Sequence, residues 1–69
     1  MTKYYKNQNN EKTVKLRRIM DDNTTQFFSI NTNAWNQSKL TPDQLANNQN
    51  YQRVNRAVAR KTCNRAFTN

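Results

Sequence analysis

The basic residues near the end of the chain are the group whose spacing could do chemistry. They are Arg53, Arg56, Arg60, Lys61 and Arg65. No acidic residue occurs in residues 44–69. On a helix, the three residues at 53, 56 and 60 would lie within about 60° of one another and form a ridge, with the other two on one flank. Because guanidinium groups match phosphate oxygens bidentately, we predict that this ridge contacts phosphates.

The alternative is a solvated basic face whose last charges only complement the helix dipole. Like charges three and four residues apart on a helix cost roughly 0.2–0.5 kcal/mol per pair. A solvated helix usually mixes both signs, and this segment does not. The pattern therefore favours the phosphate-facing interpretation.

Two further groups could contact nucleic acid. Lys15 and Arg17 point to the same side of a predicted strand, and Phe27 could lie near them across a hairpin. Basic side chains interleaved with an aromatic ring form a stacking platform for unpaired bases, although packing of the sheet faces is the more common role for such a ring. Tyr4 and Tyr5, close to Lys residues at the start of the chain, are the other stacking candidates.

The composition argues against catalysis and against a bound cofactor or metal. The chain has no His, no Gly, four acidic residues and a single Cys. A Gly-rich phosphate loop and a Cys/His metal cluster are therefore excluded. Cys63 lacks a histidine base, and Asp21 with Asp22 fits a turn better than a metal site. We predict that the protein is not an enzyme.

A β-hairpin is predicted over residues 13–31. "TVKLRRIM" (13–20) and "TQFFSIN" (25–31) alternate apolar and polar residues and are rich in β-formers. The intervening "DDNT" has turn composition, because Asp and Asn side chains hydrogen-bond their own backbone. An isolated hairpin is marginal in water, so it must pack on another element.

A helix is predicted to begin at "LTPDQL", residues 40–45. Thr41 suits the N-cap, Pro42 suits the first helical position, and Gln44 completes a capping box. From Tyr51 onward the apolar residues recur at helical spacing. We therefore predict one long basic amphipathic helix within residues 42–67, either continuous or interrupted near 46–50, where helix propensity is weak.

These elements predict a small α+β domain over residues 13–69, preceded by a polar basic arm over residues 1–12. Leu, Ile, Val and Phe make up only 11 of 69 residues, which is lean for an independent core. We expect the ordered form to be a homo-oligomer or a complex. The predicted buried set is Leu16, Phe28, Trp35, Val54 and Val58.

Charge indicates the class of partner. The net charge is +8, with basic ends around a mildly acidic middle, which favours a polyanion. We expect binding to nucleic acid, to RNA rather than DNA because amides, tyrosines and arginines are mixed and no helix-turn-helix or zinc module is visible. The alternative is an inhibitor, encoded by a phage or mobile element, that binds an acidic surface on a host protein or nucleoprotein such as a ribonuclease toxin.

A membrane partner is not expected. No apolar run approaches the roughly 20 residues of a membrane-spanning helix. The first ten residues lack the apolar segment of a signal peptide. A lone cysteine fits a reducing compartment, so we expect a cytoplasmic location, which is the host cytoplasm for a phage-encoded protein.

Overall fold

The structure, a computed structural model, describes residues 1–8 and 14–68. Within these ranges the chain forms five strands, two short α-helices and a 3₁₀ turn. The strands are β1 (Lys3–Asn7), β2 (Val14–Ile19), β3 (Thr25–Ser29), β4 (Ala34–Gln37) and β5 (Tyr51–Val54). The helices are α1 (Pro42–Ala46) and α2 (Arg56–Thr62), and the 3₁₀ turn spans Asn64–Phe67.

The strands form one antiparallel sheet in the order β4-β3-β2-β1-β5. The predicted hairpin is confirmed, because β2 and β3 pair directly and a tight turn joins them. In that turn the Asp22 carboxylate accepts hydrogen bonds from the hydroxyl and the backbone N–H of Thr24. These hydrogen bonds to the ionised form lower the pKa of Asp22. Asn23 adopts a positive φ of 67°, which Asn tolerates better than most residues.

The predicted start of the first helix is also confirmed. Thr41 is the N-cap of α1, and its hydroxyl accepts from the backbone N–H of Gln44. The Gln44 side chain accepts in return from the Thr41 N–H, which completes the capping box, and Pro42 occupies the first turn. The helix carries Leu45 into the core, where it is fully buried.

The predicted fold class, an α+β domain built on a hairpin and one long helix within residues 42–67, is wrong: the described residues form a five-stranded antiparallel sheet with only short helices. α1 ends at Ala46, residues 51–54 form β5 beside β1, and α2 has only seven residues. Tyr51 and Val54 have high β propensity, and strand pairing with β1 outweighs their helical spacing. Asn55 then starts α2 as its N-cap, with its side chain accepting from Val58 N–H. None of the helices in the described residues is long and apolar enough to cross a bilayer.

Residues 3–7, which the sequence placed in a polar arm, form β1 near the middle of the sheet. β1 pairs with β2 on one side and with β5 on the other. Tyr5 is only 5% exposed and belongs to the core. The rest of the predicted arm, residues 9–12, lies outside the described residues.

The core is divided between the two faces of the sheet. On the face covered by α2 and the 3₁₀ turn, Leu16 and Phe28 pack with Ala59 and Cys63. On the opposite face, covered by α1, the buried set is Tyr5, Ile19 and Leu45. Each cluster is small, so each supplies only part of the stability that apolar burial must provide.

The predicted buried set is confirmed in part. Leu16 and Phe28 are buried, whereas Trp35 and Val54 are partly buried against the same cluster. The prediction for Val58 is wrong, because this side chain is 39% exposed. The cap at residue 55 sets the rotation of α2, and the positions that face the sheet are then 59 and 63.

Candidate nucleic-acid interface

The junction of β5 and α2 holds three arginines, which come from both faces of the sheet. Arg53 is registered with Tyr5, on the face covered by α1, whereas α2 covers the other face. Arg53 projects from β5, and Arg56 and Arg60 lie one turn apart on α2. All three side chains are exposed. The prediction of an arginine ridge on one continuous helix is therefore wrong: the three arginines belong to a strand and a short helix that are joined by the capping residue Asn55.

Two surface cavities adjoin at Arg56, which lines both. The larger has a volume of about 580 Å³ and is also lined by Arg60 and Lys61. The smaller has a volume of about 420 Å³ and is also lined by Lys3 and Arg53. We call these five cations the basic face.

No acidic residue among the described residues lines either cavity. Asp21 and Asp22 line a separate cavity of about 510 Å³ at the β2–β3 turn, and Asp43 is in α1. Asp21 is ion-paired with the ammonium of Met1, which lines the smaller cavity. The cations of the basic face therefore have no carboxylate to neutralise them within the described chain. Such an arrangement attracts anions, and its effect weakens as salt rises.

Arg56 is the most constrained cation of the basic face. Its Cζ lies 5.1 Å from the centroid of the Phe67 ring, a cation–π contact. Phe67 in turn meets the Tyr4 ring edge-on, with centroids 5.3 Å apart. The 3₁₀ turn thus connects a cation of α2 to an aromatic ring of β1.

Arg17, a predicted nucleic-acid contact, is occupied within the protein. Its guanidinium lies between two rings, 5.4 Å from the centroid of Phe27 and 5.0 Å from that of Tyr51. Its Nη1 donates to Ser38 Oγ at 3.1 Å, and its buried Nε has no hydrogen-bond partner among the described residues. The expected proximity to Phe27 is confirmed, and the two side chains pack together on the sheet face.

Arg18 has an equivalent role on the opposite face. Its Cζ lies 3.9 Å from the centroid of the Trp35 ring, and its Nε and Nη2 both donate to Gln26 Oε1. Burial lowers the pKa of Arg18, while an interaction with Tyr4 acts in the opposite direction. The Trp35 indole N–H donates to the carbonyl oxygen of Ala66 at 3.1 Å, which attaches the 3₁₀ turn to the sheet.

The remaining predicted site residues are dispersed. Tyr4 is half-buried and lines the smaller cavity, whereas Tyr5 is buried. Lys15 is half-buried at an irregularity in the β2–β3 ladder. Arg65 is exposed on the 3₁₀ turn but lines neither cavity of the basic face.

One member of the basic face was absent from the predicted set. Lys3 is separated from Arg53 by fifty positions, and only the pairing of β1 with β5 brings them to one cavity. The available signal was the "KYYK" segment, in which adjacent tyrosines fit a strand. Comparison of the chain with protein-family models, with curated proteins and with solved structures finds no match.

Proposed function

We propose that this protein is a non-catalytic nucleic-acid-binding protein that contacts phosphates through the basic face. The observation that supports this most directly is that Arg56 lines two cavities at once. Both cavities are lined by cations and, within the described chain, by no carboxylate. A phosphate chain presents anionic groups at regular intervals and can contact both cavities at once. Lys and Arg contacts of this kind supply most of the affinity in sequence-independent binding.

The side chains of the basic face are free to bind such a ligand. In the described structure Arg53, Arg60 and Lys61 make no hydrogen bond, ion pair or ring contact, and all are exposed. Their like charges repel one another and no contact within the described protein offsets that repulsion, whereas a polyanionic ligand would neutralise it. Arg17 and Arg18, by contrast, hold the sheet faces and are not part of the proposed surface.

RNA is proposed in preference to DNA, and in single-stranded regions. An aromatic ring, Tyr4, lines the smaller cavity among the cations, and unpaired bases stack on such rings. α2 has seven residues, about 10 Å of helix. Its sequence, RAVARKT, offers Arg and Lys, which can read guanine in a major groove, but no Asn or Gln to read adenine.

We also propose a cytoplasmic location and an assembled state. Cys63 is a buried free thiol, which a reducing compartment preserves. The two apolar clusters are small, so a second copy or the nucleic acid should add stability to the folded chain. Sedimentation at micromolar concentration without nucleic acid tests self-association, and a stably folded monomer would contradict it.

The salt dependence of RNA binding tests the proposed function. In the variant R53Q/R60Q/K61Q, three cations of the basic face lose their charge while Arg56 keeps its contact with Phe67. The slope of log K against log salt is negative, and each lost phosphate contact should reduce its magnitude by about 0.7. The magnitude should therefore fall by about 2 in this variant. Binding to a single-stranded RNA decamer, measured by fluorescence anisotropy at several salt concentrations, gives this slope.

A charge-matched control separates the basic face from net charge. The variant K15Q/K39Q/R65Q also removes three positive charges, at positions that line neither cavity. It should keep nearly the parent slope. An equal reduction of the slope in both variants would show that net charge alone attracts RNA. If the parent binds naked RNA weakly and neither variant changes its slope, the other class of partner, a protein with an acidic surface, would be favoured.

A further inference from the structure

The smaller cavity of the basic face differs from the larger in having an aromatic and aliphatic wall. Tyr4 and Val54 are cross-strand partners in β1 and β5, and both line this cavity. The larger cavity has no aromatic residue among its described lining. The volume of about 420 Å³ lies within the range of about 300–1,000 Å³ typical of small-molecule pockets. The cavity thus combines an apolar wall with a cationic rim.

We propose, on the basis of the nucleic-acid binding proposed above, that this cavity receives the base of one unpaired nucleotide. The base packs on Tyr4 and Val54, and the neighbouring phosphates contact the cations of the rim. Stacking on an aromatic ring accepts any base, because every base has a π face. Bases inside a duplex are already stacked and cannot enter, so the ligand class is an unpaired strand.

The wall and the rim are connected before any ligand arrives. Phe67 contacts the Tyr4 ring on one side and the Arg56 guanidinium on the other. Tyr4 is also registered opposite Arg18, whose guanidinium lies over Trp35. A ring and a cation held by the same neighbour lose little freedom on binding, which favours affinity.

The charges around the cavity also indicate the path that the bound nucleic-acid strand takes over the protein surface. Thr2 lines both this cavity and the one that contains Asp21 and Asp22. Asp21 is paired with the Met1 ammonium, so Asp22 is the carboxylate that makes that side unfavourable for phosphates. On the other side Arg56 leads into the larger cavity, where Arg60 and Lys61 lie. The strand therefore continues from the base-binding cavity along α2.

A comparison of two strands with equal charge tests the proposal. One probe is a decamer of uridylate, and the other is a decamer of abasic residues with the same number of phosphates. The base-bearing strand should bind the parent protein about 5- to 150-fold more tightly, the effect expected of one stacked base. The two salt slopes should be equal, because the phosphate contacts are the same.

The outcomes separate this proposal from the one on which it rests. Equal affinity for both decamers, with a steep salt slope, would overturn the base-binding cavity and leave phosphate binding in place. Failure of both decamers to bind would overturn the proposed function itself. If the parent binds the base-bearing decamer about 5- to 150-fold more tightly than the abasic one, the result supports both the base-binding cavity and the proposed function.

Variants of Tyr4 then locate the base. Tyr4→Leu keeps apolar bulk but removes the ring, so it should abolish most of the preference for the base-bearing strand while keeping affinity for the abasic one. Tyr4→Phe keeps the ring and should retain the preference. Melting curves show whether the leucine variant folds, and if it does not, the strand comparison in the parent still decides. A folded leucine variant that keeps the full preference would overturn stacking on Tyr4.

Discussion

Individual arginines in this protein have two distinct roles, and the difference is their partner. Arg17 and Arg18 are neighbours on β2, so their side chains point to opposite faces of the sheet. Each stacks on aromatic rings and donates to a neutral side chain. Arg53 and Arg60 have no such partner in the described structure. The first pair packs within the fold, and the second pair is exposed without an internal contact, which suits the phosphate binding that we propose for it.

The structural role of Arg18 leads to a prediction about stability. Arg18→Lys keeps the charge but loses the planar group that stacks on Trp35 and the paired donors to Gln26. A partly desolvated cation–π contact is worth about 1–2 kcal/mol. We expect the free energy of unfolding, measured with urea, to fall by roughly that amount.

The matched control is Arg65→Lys on the exposed 3₁₀ turn. An exposed substitution of this kind usually changes stability by less than about 0.5 kcal/mol. An equal effect of the two substitutions would show that the contact of Arg18 with Trp35 contributes nothing specific.

At the scale of elements, α1 depends on its capping residues more than on its length. Five residues are too few for a stable isolated helix. The hydrogen bonds of Thr41 and Gln44 satisfy N–H groups that would otherwise lack partners. This short element then delivers Leu45 to the apolar cluster that contains Tyr5 and Ile19.

Removal of this cap should destabilise the whole domain. Thr41→Ala eliminates the hydroxyl acceptor and should lower the free energy of unfolding by about 1 kcal/mol, within the range of about 0.5–2 kcal/mol for such caps. Thr41→Ser keeps the acceptor and should stay close to the parent. Chemical denaturation of the three proteins measures the difference. If serine costs as much as alanine, the methyl group and not the cap is responsible.

The elements that the sequence identified are those whose signals are local. The capping box spans four residues, and the hairpin needs only its own alternation and its turn. β1 and β5 have no local signal of comparable strength, because each is stabilised by pairing with the other across about fifty residues. Tyr51, Val54 and Val58 happen to match helical spacing as well, and nothing in that segment distinguishes the alternatives except the capping potential of Asn55.

The same limit applies to the candidate site. The exposure of Arg56 and Arg60 follows from the helical spacing within α2, which is a local signal. The stacking of Arg17 between Phe27 and Tyr51 depends on three strands and could not be read from any one of them. Lys3 joins the basic face only through the β1–β5 pair. Long-range strand pairing therefore decides which basic side chains are internal and which are exposed.

For the whole molecule, folding concentrates positive charge that is distant in the sequence. The chain carries twelve basic and four acidic residues. Lys3 and Arg53 come from the two basic ends and line one cavity in the folded state. Self-repulsion on the basic face therefore opposes folding when no ligand is present.

Salt should consequently stabilise the free protein. Raising the ionic strength from 0.01 M to 0.15 M shortens the Debye length from about 30 Å to about 8 Å, which screens repulsion between exposed charges. We expect the free energy of unfolding to rise by the order of 1 kcal/mol, because unit charges several Å apart in water interact by a fraction of that amount per pair.

The variant R53Q/R60Q/K61Q should be more stable than the parent at low salt and should respond less to added salt. The variant K15Q/K39Q/R65Q has the same net charge but leaves the basic face intact, so it should keep more of the parent's response. Urea denaturation at the two ionic strengths measures each response. A parent whose stability falls with salt would show that attractive ion pairs outweigh repulsion on the basic face, and it would remove the argument that these cations are held ready for a polyanion.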